Sequence, residues 1–274
     1  MTPEEKYLFD LQGYLVLPEV LSPDMLRRLN SAIDSLEGLS GDKAASLGVE
    51  RKYRASDNVY AKAGHPPEGS LGDYDCEILR YGGPFEELID WPRTLSHIEE
   101  MIGEPCRLDA ASFMSRNSKG AFRFHHGYAE LLPYSEYAFQ DGEFKCVSVK
   151  ISYALTDVGV EGGCFAVIPG SHKSNFTNPL VGQVPEPHHP LVQPLPCKAG
   201  DAVIFSEDLS HGAVENRESK VRRTLFYSYA PAFHSTWRDL AMTADGFERR
   251  ASPRRIELIQ GPAPFPEASG VAIY

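Results

Sequence analysis

The sequence has few cysteines and no cysteine motif. Five thiols are spread over 274 residues, and no two of them form a Cys-x-x-Cys pair. An odd number of isolated cysteines argues against both a disulfide framework and a cysteine zinc site. We therefore expect a protein of a reducing compartment, the cytoplasm.

The sequence also has a shortage of positive charge. Lysine and arginine number 27 against 38 aspartates and glutamates, which gives a formal net charge of −11. Nucleic acids and anionic membranes require clustered basic residues, so neither is an expected partner. A small-molecule substrate fits this composition better, and no feature of the sequence indicates an oligomeric state.

No apolar run approaches the roughly 18 residues that a membrane-spanning helix needs. The opening stretch MTPEEKYLFDLQGYLVL has acidic residues where an export signal carries positive charge. From these two features we expect a protein that is neither membrane-bound nor exported.

The length suits one large domain over residues 1–274, with a helical N-terminal part at 1–104. Ser22 and Pro23 are typical of a helix start. The apolar residues that follow recur at helical spacing: Met25, Leu26, Leu29, Ile33 and Leu36. A second helical pattern is split by Pro92 and stops at Gly103. The polar, glycine-bearing residues 40–80 indicate loops able to cover a site.

From residue 105 the pattern changes to short apolar strands separated by turn residues. This β core extends over 105–231 and includes stretches such as KCVSVKISYAL, DAVIFSE and RRTLFYSYA. Strands at this spacing behind a helical part predict an antiparallel sandwich or barrel with helices outside. The prolines of residues 232–274 predict an irregular C-terminal extension.

Two histidine positions stand out as candidate metal ligands. His126 follows His125 in the stretch FRFHHGYAE, and His211 lies 85 residues after His126 at the end of a predicted buried strand. A closed or two-layered β fold could bring such distant residues together. Arg222 opens the next predicted strand, and its planar guanidinium suits a carboxylate.

These residues resemble the phytanoyl-CoA dioxygenase (PhyH) family of Fe(II)/2-oxoglutarate oxygenases. In that family a distal histidine binds iron, and an arginine eleven positions later pairs with the far carboxylate of 2-oxoglutarate; His211 and Arg222 have this spacing. Residues 154–176, with their PGSH corner, resemble the central segment of the family, and the resemblance covers roughly 8–38 and 120–231. It implies a mainly β, double-stranded β-helix (jelly-roll, cupin-like) core with flanking helices.

The family has a His-x-Asp pair at its first ligand position, and this sequence departs from it. If His125 is the ligand, the acid position is Gly127; if His126 is, the position is Tyr128. One interpretation has His126 bind iron with Glu130 reaching in after a bulge. Another leaves the position to an anion or water, as in PhyH-like halogenases with glycine there. A third is a ligand-binding module without metal on the same fold.

The resemblance implies an enzyme that uses Fe(II), 2-oxoglutarate and O2 to oxidise an unactivated C–H bond, by hydroxylation, cyclisation or desaturation, with release of succinate and CO2. The protein supplies position and exclusion of water. Lys150 and Ser152 lie on one alternating face of a predicted strand, so either is a candidate contact for the keto acid.

Overall fold

The computed structural model describes residues 1–37, 74–75, 78–103, 105–116, 120–126, 137–234 and 243–260. Most of the predicted covering loops at 40–80 lie outside these residues. Within the described part of the chain, no helix has both the length and the apolar character needed to cross a membrane.

Six helices surround the β core in the described ranges. They are α1 (Pro3–Gln12), α2 (Pro23–Glu37), α3 (Pro84–Glu87), α4 (Pro92–Ile102), α5 (Phe247–Arg250) and α6 (Pro253–Ile259). Helix α2 begins as predicted, because the Ser22 hydroxyl accepts a hydrogen bond from the Met25 amide at 3.1 Å. Its apolar stripe is buried, with Leu29 and Ile33 fully inaccessible to solvent.

The strands form two larger sheets and a hairpin. The six-stranded sheet contains β1 (Tyr14–Leu17), β2 (Tyr74–Asp75), β3 (Cys106–Arg116), β7 (Val149–Ala154), β10 (Ala202–Ser206) and β12 (Arg222–Pro231). The four-stranded sheet contains β4 (Phe122–His125), β8 (Phe165–Val167), β9 (Gln193–Leu195) and β11 (His211–Ala213). The hairpin consists of β5 (Ala138–Gln140) and β6 (Glu143–Lys145).

Both sheets are antiparallel, and most strands that are adjacent in a sheet are distant in sequence. The strand order is β1-β10-β7-β12-β3-β2 in the larger sheet and β4-β11-β8-β9 in the smaller one. Phe165 of the smaller sheet packs against Phe205 of the larger one, with ring centroids 4.9 Å apart. The space between the two sheets therefore receives one face of each.

The larger sheet divides its side chains between two cores by strand alternation. Leu225, Tyr227 and Tyr229 point away from the smaller sheet and join a core that includes residues of α2, α3 and α4. Arg222 and Thr224 alternate with them and take the inner face. The sheet is thus apolar towards the helices and partly polar towards the smaller sheet.

The expectation of an irregular C-terminal extension is wrong for residues 247–259, which contain α5 and α6. Pro253 is the first residue of α6, where a missing amide hydrogen costs nothing. The Ser252 hydroxyl caps the helix by accepting a hydrogen bond from the Arg255 amide at 3.0 Å. Proline here marks a helix start, a signal that the sequence analysis missed.

Candidate active site

The imidazole rings of His125 and His211 face each other across two paired strands of the smaller sheet. The two residues are direct partners in the antiparallel β4–β11 register. Their ring centroids are 4.1 Å apart, with a 56° angle between the ring planes. Two imidazoles at this distance can share one metal ion.

A bulge in β4 sets this pairing. Ala213 pairs with Phe122 and His211 with His125, so three steps along β4 match two along β11. Gly212 lies opposite the bulge, and a Cβ atom there would be 2.5 Å from the Phe122 carbonyl oxygen. The close approach of the two strands therefore requires glycine at 212.

Backbone hydrogen bonds orient both rings in the same way. The Nδ1 atom of His125 is 3.0 Å from the carbonyl oxygen of Arg123, and Nδ1 of His211 is 2.8 Å from that of Leu209. A carbonyl oxygen can only accept, so Nδ1 carries the hydrogen in each ring. Each Nε2 atom then keeps its lone pair for a metal, as in many metal-binding histidines.

Burial favours the neutral form of both imidazoles. Desolvation is the main cause that lowers the pKa of His125. The pKa of His211 lies well below its ordinary value, again chiefly through burial and then through the nearby charges of His125 and Lys150. Neutral imidazole is the form that binds a metal, so the chemistry of this pair fits Fe(II).

His126 and Glu130 are the other two predicted metal ligands. His126 follows β4 directly and is half-buried. Glu130 lies outside the described residues. Within the ranges that the structure describes, no group of three His, Cys, Asp or Glu side chains could hold a metal ion.

Arg222 is buried on the inner face of the larger sheet. Its Nη1 donates to the Gly163 carbonyl oxygen at 2.6 Å, and its Nε donates to the Thr224 hydroxyl at 3.2 Å. No carboxylate of the described chain pairs with it, and burial lowers the pKa of the guanidinium. A buried cation held only by neutral acceptors is a suitable site for an anion.

A small cavity lies beside Arg222. Ser152, Phe165 and Thr224 border this cavity together with Arg222. Phe165 also stacks on the His211 ring, at 5.6 Å between centroids and an angle of 29°. One aromatic ring thus separates the candidate metal ligands from the candidate carboxylate anchor.

Lys150 has a partner that the sequence analysis missed. Its Nζ donates to Glu207 Oε1 at 2.7 Å, and the Glu207 side chain is buried at the end of β10. A glutamate two residues after the apolar run AVIF was the available sequence signal. By contrast, a surface cleft of about 820 Å³ between α1, α4 and the hairpin contains none of these residues.

Comparison with known proteins agrees with this geometry. A phytanoyl-CoA dioxygenase of Arabidopsis thaliana is 23% identical over 246 residues, covering 81% of this chain and 86% of that protein. The dioxygenase trt7 of Aspergillus terreus is 32% identical over 237 residues, covering 80% of this chain and 70% of that protein.

Among solved structures, HygX from Streptomyces hygroscopicus with nickel and 2-oxoglutarate bound has a TM-score of 0.69. The identity is 22%, and the match covers 92% of this chain and 95% of that chain. HygX has also been solved with hygromycin B bound. The predicted double-stranded β-helix fold is confirmed by this likeness. Residues 9–224 match the profile of Phytanoyl-CoA dioxygenase (PhyH), and the chain therefore belongs to this family of non-haem Fe(II)/2-oxoglutarate dioxygenases.

Proposed function

We propose that this protein uses Fe(II), 2-oxoglutarate and O2 to oxidise an unactivated C–H bond of a small molecule, by hydroxylation or by oxidative cyclisation or desaturation. Succinate and CO2 are the co-products. The observation that carries the proposal is the buried Arg222, which has no carboxylate partner among the described residues and borders a cavity lined by Phe165, the ring that stacks on His211.

Each residue has a distinct role in this proposal. His125 and His211 would hold the iron through Nε2, since both Nδ1 atoms are engaged by the backbone. Arg222 would pair with the far carboxylate of 2-oxoglutarate, and Ser152 borders the same cavity. The bound iron and keto acid supply the oxidising power, while the chain orients them and excludes water.

The choice of His125 over His126 rests on its position opposite His211. Lys150 is a weaker candidate for contact with the keto acid, because its ammonium already pairs with Glu207. His126 and Lys150 therefore keep their predicted roles only as alternatives.

Halogenation is a second candidate, and the pairing of His125 with His211 favours it. With His125 as ligand, the residue at the acid position is Gly127, which has no side chain to offer a carboxylate. The iron position that the aspartate of the His-x-Asp pair takes would then be filled by a halide, by water or by Glu130. The product would be an alkyl halide in the first case and an alcohol, a ring or an alkene in the others.

Anaerobic reconstitution tests the proposal. Protein with Fe(II) and 2-oxoglutarate should develop a weak visible absorption band, and admission of oxygen should then release succinate. Protein without iron is the control. Absence of both the band and the succinate would favour a non-catalytic ligand-binding module on the same fold.

Two substitutions separate the candidate reactions. Glu130→Ala should abolish iron binding if Glu130 is a ligand and leave it nearly intact otherwise, with the exposed Glu143→Ala as control. Gly127→Asp should add the missing carboxylate. If the protein is a halogenase, mass spectrometry with chloride or bromide present should find halide in the wild-type product and loss of halide in the Gly127→Asp product.

A further inference from the structure

The inner face of the larger sheet has two polar ends, and only one of them is used by the proposed cosubstrate. Strand β12 pairs with β3 so that Arg222 lies beside Arg116 at one end and Ala230 beside Arg107 at the other. The histidine pair lies between the ends, because His211 packs on Phe205 at 4.8 Å and Phe205 pairs with Lys150 in the sheet. The end away from Arg222 is therefore left for another molecule.

Arg107 at that end is a buried cation with unused donors. Its side chain is 1% exposed, and Nη1 donates to the His234 carbonyl oxygen at 3.1 Å. Its Nε and Nη2 atoms are buried and have no hydrogen-bond partner among the described residues. An unsatisfied buried guanidinium is costly unless an anion binds it.

Two carboxylates at the same end of the sheet as Arg107 have acceptor atoms that no described residue uses. Glu207 is 7% exposed; its Oε1 accepts from Lys150, while its Oε2 is buried with no partner in the part of the chain that the structure describes. Asp109 Oδ1 is likewise buried without a partner. Burial raises the pKa of the Asp109 carboxyl, and the charges of His234, Arg107 and Lys150 act against that rise.

These groups belong to one site together with the histidine pair. Cys106 and Leu108 pack in the helix-side core, so by alternation Arg107 between them takes the inner face. Asp109 is the extra residue of a bulge in β3, because Ala110 pairs with Ser228 and Leu108 with Tyr229, and the charge of Arg107 acts on its pKa. Lys150, the partner of Glu207, pairs in the sheet with Phe205, on which the His211 ring packs, and with Ser228 of β12. The cluster therefore borders the metal ligands on the side opposite Arg222.

We propose that Arg107, Asp109 and Glu207 bind the polar end of the substrate, which is a small molecule with a carboxylate or phosphate next to hydroxyl or ammonium groups. Arg107 pairs with the anionic group through Nε and Nη2, and the two free carboxylate oxygens accept from the hydroxyl or ammonium hydrogens. This assignment rests on the proposed function and adds to it the chemical class of substrate.

Binding of matched probes to the full chain, loaded with Fe(II) and 2-oxoglutarate under argon, tests the assignment. Saturation-transfer NMR would compare serine with serinamide, gluconate with glucose, and glucose 6-phosphate with glucose, all at millimolar concentration. We expect at least one anionic probe to bind and its neutral counterpart not to bind. The carboxylate and phosphate pairs identify which anion the site prefers.

Arg107→Gln should weaken binding of that probe by about tenfold or more, because a charge-assisted pair is lost. Asp109→Asn and Glu207→Gln should each weaken it several-fold. Arg217→Gln, at an exposed arginine, is the matched control and should change nothing. Arg107→Lys keeps the positive charge but lacks the planar guanidinium. Melting curves of Arg107→Lys and Arg107→Gln show whether a loss of probe binding is caused by unfolding.

Binding that is equal for neutral and anionic probes, unchanged in folded Arg107→Gln or Arg107→Lys, or absent for every anionic probe would overturn the assignment. Succinate release in the absence of substrate is measured on the same samples. It distinguishes failure of the substrate assignment from failure of the proposed function. Wild-type protein that binds no probe but still forms succinate loses only the substrate assignment. Wild-type protein that forms no succinate loses the proposed function.

Discussion

The two faces of the larger sheet differ in what they do with their polar groups. On the helix side, the Tyr227 hydroxyl donates to the Phe85 carbonyl oxygen at 2.6 Å and the Tyr229 hydroxyl to that of Ile89 at 2.8 Å. On the inner side, Arg107 and Glu207 have buried polar atoms for which the described ranges provide no partner. The two tyrosine hydroxyls thus find acceptors within the chain, whereas these two inner-face side chains keep polar atoms that no described residue satisfies.

This difference follows from the period of a strand. Neighbouring residues on β12 point to opposite faces, so a single ten-residue strand contributes to the helix-side core and to the inner site in alternation. Stability and chemistry should therefore respond separately to substitutions at adjacent positions. The following predictions test that separation, beginning with the largest expected effect.

His125→Ala and His211→Ala should each weaken iron binding by more than about a hundredfold, the range that loss of a supporting contact alone can reach. Succinate formation should fall to background. His126→Ala is the matched control and should retain both properties. Anaerobic iron titration is the measurement, and loss of iron in His126→Ala with retention in His125→Ala would reverse the ligand assignment.

Arg222→Lys should raise the 2-oxoglutarate concentration needed for half-maximal turnover by about ten- to a hundredfold, since lysine cannot form the two-pronged pair. The adjacent Arg223 faces α2, where it pairs with Asp34 at 2.7 Å, so Arg223→Lys is the control on the opposite face. Equal effects of the two substitutions on 2-oxoglutarate dependence would contradict the division between faces.

Leu225→Ala on the helix side should lower the free energy of unfolding by about 2–5 kcal/mol, because Leu225 is fully buried in the helix-side core. Iron affinity of the folded fraction should not change. Thr224→Val, one residue earlier on the inner face, should have the opposite profile: little loss of stability and weaker 2-oxoglutarate binding. Denaturant unfolding and ligand titration of both variants test this contrast.

Gly212 lies in the smaller sheet, and Gly212→Ala should lower both stability and iron affinity modestly. The added methyl group would force β4 away from β11, at a cost of about 1–3 kcal/mol in stability. The shift would also separate the two imidazoles and weaken iron binding about tenfold. Unaltered iron affinity in a destabilised variant would indicate that the bulge does not position His125.

The sequence was informative where local pattern and family motif coincide. The hydrophobic alternation of RRTLFYSYA predicted β12, and the predicted PhyH membership and its Fe(II) and 2-oxoglutarate dependence are confirmed at the level of the family. The roles of His211 and Arg222 stay predictions, now with a geometry that supports them.

Other features could not be predicted from local pattern. Choosing between His125 and His126 required the register of β4 against β11, and a bulge changes which residues share a face. Glu207 and Arg107 lie at the same end of the larger sheet only through the pairing of β10, β7, β12 and β3, which are distant in sequence. The C-terminal helix α6 was missed because proline was interpreted as a breaker where it begins the helix.

The acceptors that hold His125 and His211 are main-chain oxygens two residues upstream of each ring. No substitution of a neighbouring side chain can delete such an acceptor. Side chains of the surrounding pocket can therefore change, during evolution or directed mutagenesis, to fit new substrates. The orientation of both rings is kept because it depends on the backbone.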